Sequence, residues 1–395
     1  TSITYGYSKD HRPDLKQVVV QLITNHKSAL PVCFEALSGN SNDKKTFTAS
    51  VKAYCQQMNA SDRPYLVMDS AGFSEATLKV AQEQAICWLM RVPETLAHAK
   101  QLVKETLAAD MSEIKPGYKS KETECEYAGV KQRWLIVFSE AAQAREAKTL
   151  EKAQAKELVA AQKEWRKIEG QTFNCTADAE QALEQYNKKW KYHQAKAQAN
   201  TITQYARRGR PAAGDEKEVM GYHLQGCVEV NATAVDDVKR NLGRFIIATN
   251  ELDTSRLSSA GMLENYTDQG ISVERGFRFL KDPLFFANSL FLKKPERIMA
   301  LLMIMGLALL IYSLAELKLR EALKVMNATI PNQLRKPTQT PTMRWVFQMF
   351  QGLDILLIHQ NEQVVFRRLV NLRPVQQQVI TLLGPHVQKC YLTEF

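Results

Sequence analysis

The chain has 395 residues and a formal net charge of +10, from 52 Lys and Arg against 42 Asp and Glu. That length suits two or three domains, or one core carrying a large insertion, and the basic excess points to a polyanionic partner without specifying a fold. Seven widely spaced cysteines (33, 55, 87, 125, 175, 227 and 390) form no C-x-x-C pair, which argues against a disulfide framework or zinc module and fits a reducing cytoplasm.

In chain order, "QVVVQLIT" (17–24) and "ALPVCFEAL" (29–37) are strand-like runs separated by the turn-like "NHKS", which predicts an antiparallel hairpin. The loop "GNSNDKKTF" (39–47) carries helix-start chemistry, and a helix to about Met58 follows. "YLVM" (65–68) is a short strand ending at Asp69, then a loop and helix, then the strand "ICWLMRVP" (86–93). Strand, acid, helix, strand marks an α/β unit with Asp69 at a strand tip.

Residues 94–133 are mixed and "WLIVF" (134–138) is strand-like; 139–200 is rich in Ala, Glu, Lys and Gln. The 4-3 spacing of Leu158, Ala161, Trp165 and Ile168, kept less perfectly by Leu183, Tyr186, Trp190 and Ala197, predicts a helical hairpin around Gly170. A polar linker (206–218) and two strands (222–230, 243–249) lead to a helix at 272–282. Ile298 to Ala315 is uncharged for 18 residues, at the lower edge of a membrane span; a helix apolar all round is equally a buried core helix, and the core reading is preferred. A Pro-punctuated linker (331–341) precedes a helical C-terminal region.

Within "VERGFRFLKDP" (273–283), Val273, Phe277 and Leu280 face a core, while Glu274, Arg278 and Lys281 form an adjacent exposed stripe. An i,i+4 ion pair is the plain use of such a stripe, worth a few tenths of a kcal/mol. The sharper use is metal binding: Asp69 and Glu274 supply the hard oxygen ligands that magnesium needs, and two such ions can clamp a phosphoryl transfer. Asp69 alone reads as a turn or cap residue.

"ITYGYSKDHRPDLKQVVVQL" (3–22), "EALSGNSNDKKTF" (35–47), "YLVMDSAGFS" (65–74) and "ENYTDQGISVERGFRFLKDP" (264–283) resemble bacterial insertion-sequence transposases of the DDE class. The resemblance is to the branch whose third acid lies in a tyrosine-arginine-glutamate-lysine signature. It implies an RNase H-like α/β fold, a mixed sheet with flanking helices interrupted by a large α+β insertion, plus a helical C-terminal segment. Its implied cofactor is two Mg²⁺ or Mn²⁺ ions held by Asp, Asp and Glu. Its implied partner is double-stranded DNA, the transposon ends and the target, engaged by a homodimer without a membrane, in the bacterial cytoplasm at the nucleoid.

By this resemblance Asp69 matches the second catalytic Asp, Glu274 the third acid, Lys281 the signature lysine and Tyr266 its tyrosine, while the signature arginine falls at Gln269. Arg275 and Arg278 are further cations toward DNA. The first acid is expected upstream of residue 1, the chain opening at Thr1 as a processed or truncated piece, crippled in metal binding. Arg207, Arg208 and Arg210 in "RRGRP" resemble an AT-hook core for the minor groove, or form a solvated linker. His11 and Arg12 reach toward the site, or shape a turn. Six Lys or Arg between Lys318 and Arg344, against Glu321, suit a DNA backbone.

The expected organisation is 1–93 and 240–317 as the two parts of the catalytic core, 94–239 as the insertion, and 318–395 as a basic linker and helical C-terminal region. The expected function is metal-dependent DNA strand cleavage and transfer at insertion-sequence ends. The alternatives are a non-catalytic DNA-binding remnant and a membrane-anchored protein with a basic face.

Overall fold

The computed structural model describes residues 2–7, 12–25, 28–41, 43–56, 65–205, 217–282, 292 and 294–392, with the backbone alone at 43–45, 47, 55 and 269–272. The valine-rich run forms β1 (Val18–Thr24), antiparallel to β2 (Pro31–Ser38). Next come α1 (Asp43–Gln56), β3 (Leu66–Met68) and α2 (Glu75–Glu83), then β4 (Trp88–Arg91), α3 (Ala97–Glu105), β5 (Ser112–Lys115), β6 (Tyr118–Tyr127) and β7 (Val130–Ser139). Helices α4 (Glu140–Glu169) and α5 (Thr176–Lys189) precede the long strands β8 (His193–Tyr205) and β9 (Lys217–Val230). After α6 (Ala232–Asn241) and β10 (Arg244–Thr249) come α7 (Ser259–Lys281) and α8 (Pro295–Val325). The chain continues with β11 (Ile330–Pro331), β12 (Pro337–Thr338), α9 (Met343–Met349), β13 (Asp354–Gln360), β14 (Gln363–Val370), α10 (Pro374–Leu382) and α11 (Pro385–Leu392). The fold is mixed α/β, in two compact units: Thr1–Ile86 with Leu263–Phe395, and Cys87–Met262.

In the first unit, α7 and α8 pack on the β1–β2 hairpin through a core that includes Leu22, Ala36, Phe279 and Leu280. Two glycines permit this approach. A Cβ on Gly276 would stand 2.6 Å from Leu22, and one on Gly306 would stand 3.0 Å from the Phe34 ring. The packed seam of α8 runs Ile298, Leu302, Met305, Leu309, Tyr312, Glu316, Leu319 and Leu323, alternating steps of four and three residues as a single helix face requires. Its first half belongs to the hairpin core; its last turns join Met343, Val346 and Val379 in a second core under α9 and α10.

A helix buried all round is therefore not what forms. Met303, Ile304, Leu307 and Ile311 are 55–75% exposed on the face opposite the seam. A seam one residue wide on each turn covers one side of a helix, and apolar composition alone does not create a second partner. The helix also continues to Val325, so Lys318, Arg320 and Lys324 stand on it and not in a linker. The C-terminal region adds the β13–β14 hairpin to its helices.

In the second unit the strands run β4-β10-β7-β6-β5, each pair antiparallel. Trp88, Leu89 and Met90 of β4, Trp134 to Val137 of β7, and Ile246 to Ala248 of β10 are almost wholly buried. The β6–β7 turn places Ala128 and Gly129 at φ 57° and 75°, the two-residue reversal whose twist matches an antiparallel pair. Separately, α4 and α5 pack on the β8–β9 ribbon around Ala161, Trp165, Tyr186 and Leu224. Tyr186 donates its hydroxyl to the Ala161 carbonyl at 2.8 Å.

Candidate functional site

Asp69 follows β3 directly and is exposed. Its Oδ1 accepts the Ala71 N–H at 2.9 Å, an Asx-type turn that redirects the chain toward Ser74. Ser74 then caps α2 by accepting the Thr77 N–H at 3.3 Å. The turn leaves the second carboxylate oxygen open, since it has no partner among the described residues.

Glu274 lies on α7, exposed, as do Arg278 and Lys281, while Phe277 and Leu280 pack into the hairpin core. The stripe thus forms as its spacing predicts. The i,i+4 ion pair does not. Among the described residues neither the Glu274 nor the Arg278 side chain takes part in a hydrogen bond or ion pair. An exposed carboxylate one turn from an exposed guanidinium, left unpaired, is available to a ligand of each sign. Lys281 borders an apolar cavity of about 210 Å³ between α7, α8 and the hairpin, lined by Val18, Phe34, Phe277 and Leu302 among others. The helix itself is longer than its sequence suggests, starting at Ser259.

Arg275 is engaged differently from its neighbours. Its Nη1 lies 3.7 Å from Glu316 of α8, whose carboxylate is 12% exposed and also meets Arg320 Nη2 at 2.5 Å. Glu316 Oε2 accepts the Met343 N–H at 3.0 Å. Burial pulls the Arg320 guanidinium below its ordinary range, with Glu316 acting the other way. Asp282, 8% exposed, pairs with Arg344 at 2.5 Å, and the Tyr312 hydroxyl accepts the Arg344 N–H at 3.0 Å. Burial pushes the Tyr312 hydroxyl up. The composition of the helices did not reveal these residues; the one signal was a glutamate falling in step with the apolar seam of α8.

Tyr266 is half-buried on α7, and the side chain of Gln269 lies outside the described ones. Arg12 forms a bidentate pair with Asp14, at 2.9 and 2.8 Å, which raises the arginine and lowers the aspartate. His11, Arg207, Arg208 and Arg210 lie outside the described residues. Among those described, no three His, Cys, Asp or Glu side chains gather into a metal cluster. Asp69 and Glu274, both in the first unit, fit a divalent ion by their chemistry, being exposed oxygen donors with no ion-pair partner among the described residues.

No curated protein matches the chain. A family model described as the transposase DDE domain does, over residues 2–311, which takes in Asp69, the whole of α7 and the first half of α8. By that match, the chain belongs to the transposase DDE domain family.

Proposed function

We propose that the chain cuts and joins DNA strands at the ends of an insertion sequence, with Asp69 and Glu274 as carboxylate ligands of its divalent ions. Family membership supports a transposase function, DNA as the partner and divalent metal use in general. The observation that carries the finer reading is Glu274: exposed on α7, unpaired among the described residues, and followed on the same stripe by Arg278 and Lys281. Mg²⁺ or Mn²⁺ bound there would supply Lewis-acid stabilisation of the transferring phosphoryl group and lower the pKa of the attacking water. Arg278 and Lys281 would hold the DNA phosphate beside the carboxylates, fixing the scissile bond in line with the attacking oxygen. Water opens the phosphodiester at the element's end, and the freed 3′-hydroxyl then attacks the target strand. Joining two ends calls for two copies of the chain on DNA.

The second reading, a DNA-binding protein without cleavage, is favoured by the two carboxylates alone, since the described residues contribute no third. The membrane reading is opposed by the seam of α8. That helix is long and apolar enough to cross a membrane by composition, yet Ile298, Leu302, Met305 and Leu309 are spent on the hairpin core.

The test is strand transfer of a pre-cut DNA end in Mg²⁺ or Mn²⁺ by the chain and by Glu274→Gln. The substitution is expected to lower the rate by at least about 10³-fold, the scale of losing a charge-stabilising group, with DNA affinity kept. Binding without metal-dependent joining, even by a chain extended upstream to include the expected first acid, would establish the second reading.

A further inference from the structure

Every position of the α8 seam is apolar except Tyr312 and Glu316. A carboxylate in such a seam costs several kcal/mol to bury unless it is paired and hydrogen-bonded. Glu316 has three partners, and they come from three helices: Arg320 of α8 itself, Arg275 of α7, and the N–H of Met343 at the start of α9. Asp282 and Arg344 repeat the connection between the end of α7 and α9. Arg275 follows Glu274 immediately, and Asp282 follows Lys281 immediately. The exposed stripe of α7 is therefore bracketed by two ties to the chain beyond residue 311, where the family match ends.

We infer that Glu316 is a positioning residue for the Glu274 helix. Through Arg275 it fixes the rotation of α7 about its axis, and so the direction in which Glu274 projects. Through the Met343 N–H it makes that setting depend on the docking of α9. Arg275 is then a tether and not a DNA contact, in contrast to Arg278 and Lys281. The inference rests on the reading of Glu274 as a metal ligand, and its test separates the two.

The experiment uses the full chain carrying Glu316→Gln, Arg275→Gln, both, or Glu274→Gln, each checked by thermal melting. Glu316→Gln keeps the volume and an acceptor for Met343 while removing the charge. Two quantities are measured: amide hydrogen exchange along α7, and strand transfer at saturating DNA. Glu316→Gln and Arg275→Gln are each expected to speed exchange at 274–282 by about tenfold. Each should also slow transfer by at least about tenfold with the Kd for DNA unchanged, as misplacement of a ligand does. The double variant should be no worse than Glu316→Gln alone.

Exchange altered only within α8 and α9 would overturn the inference, as would effects that multiply in the double variant. So would an Arg275→Gln protein that binds DNA more weakly yet transfers normally once saturated. Should Glu316→Gln unfold, Arg275→Gln alone decides, because it leaves Glu316 paired with Arg320. If α7 loosens as expected but Glu274→Gln transfers at the full rate, the tether stands and the metal-ligand reading falls.

Discussion

Asp69 holds a turn and is proposed as a metal ligand, and one substitution separates the two. Its Oδ1 closes the turn onto Ala71, a task for any side-chain oxygen at that position, whereas a metal ligand needs the negative charge. Asp69→Asn preserves the acceptor and removes the charge. Its unfolding free energy should stay within about 0.5 kcal/mol of the parent chain, as expected of an exposed site whose local hydrogen bond survives, while strand transfer is lost. Urea titration and a pre-cut-end assay on the same preparation check both halves. A large loss of stability would show that the aspartate is needed for more than its turn. At Glu274 and Arg278 the reasoning differs, since among the described residues neither side chain has a structural partner to lose.

Among the elements, the link between α4 and β8 is held by Glu157, whose Oε1 accepts the backbone N–H groups of Tyr192 at 2.7 Å and His193 at 3.1 Å and faces His193 Nδ1 at 3.2 Å. Burial alone would raise this carboxyl, but the hydrogen bonds from Tyr192, His193 and Lys191 together outweigh it and hold the group below its ordinary value of 4.5. A carboxyl depressed in the folded state contributes stability above the unfolded value. That contribution fades as pH falls through the folded one, because the unfolded chain takes up the proton first. The α4–α5 and β8–β9 assembly should therefore loosen below about pH 4.5, with Glu157→Gln flattening that dependence. Fluorescence of Trp165 and Trp190, followed from pH 7 downward, is the measurement.

The same elements show what sequence reading reaches. The β1–β2 hairpin, β4, β7 and β10 were legible because β-branched and apolar runs have few other uses. The α4–α5 pair was legible from its 4-3 spacing. Strand β8 was hidden because "HQAKAQANTITQY" is rich in Ala and Gln, which read as helix until pairing with β9 decides otherwise. Strand β6 alternates Lys, Glu and Thr without an apolar face, so it too depends on its neighbours. The exposed stripe around Glu274 follows from one helix and could be seen locally. The partners of Arg275 come from helices distant in sequence, and spacing within α7 contains no trace of them.

For the whole molecule, net charge and the exposed stripe make one joint statement about DNA. With a charge of +10, binding should weaken steeply with salt as condensed counterions are released. Each phosphate contact contributes a slope of roughly 0.9 in log K against log salt, so removing Arg278 and Lys281 together, as the paired Gln substitutions, should reduce the slope by about 2. Filter binding or anisotropy between about 50 and 200 mM salt measures it. An unchanged slope would place the phosphate contacts elsewhere on the chain.

Helix α8 bears on inheritance as well as packing. The family match stops at residue 311, inside a helix that runs unbroken from Pro295 to Val325. The segment beyond that point is joined to the matched region through one continuous helix. Grafting another sequence after 311 would separate Arg275 from Glu316 and Asp282 from Arg344 unless both members of each pair travelled together. A new C-terminal region without matching changes in α7 would break both pairs, so the two segments are expected to diversify together.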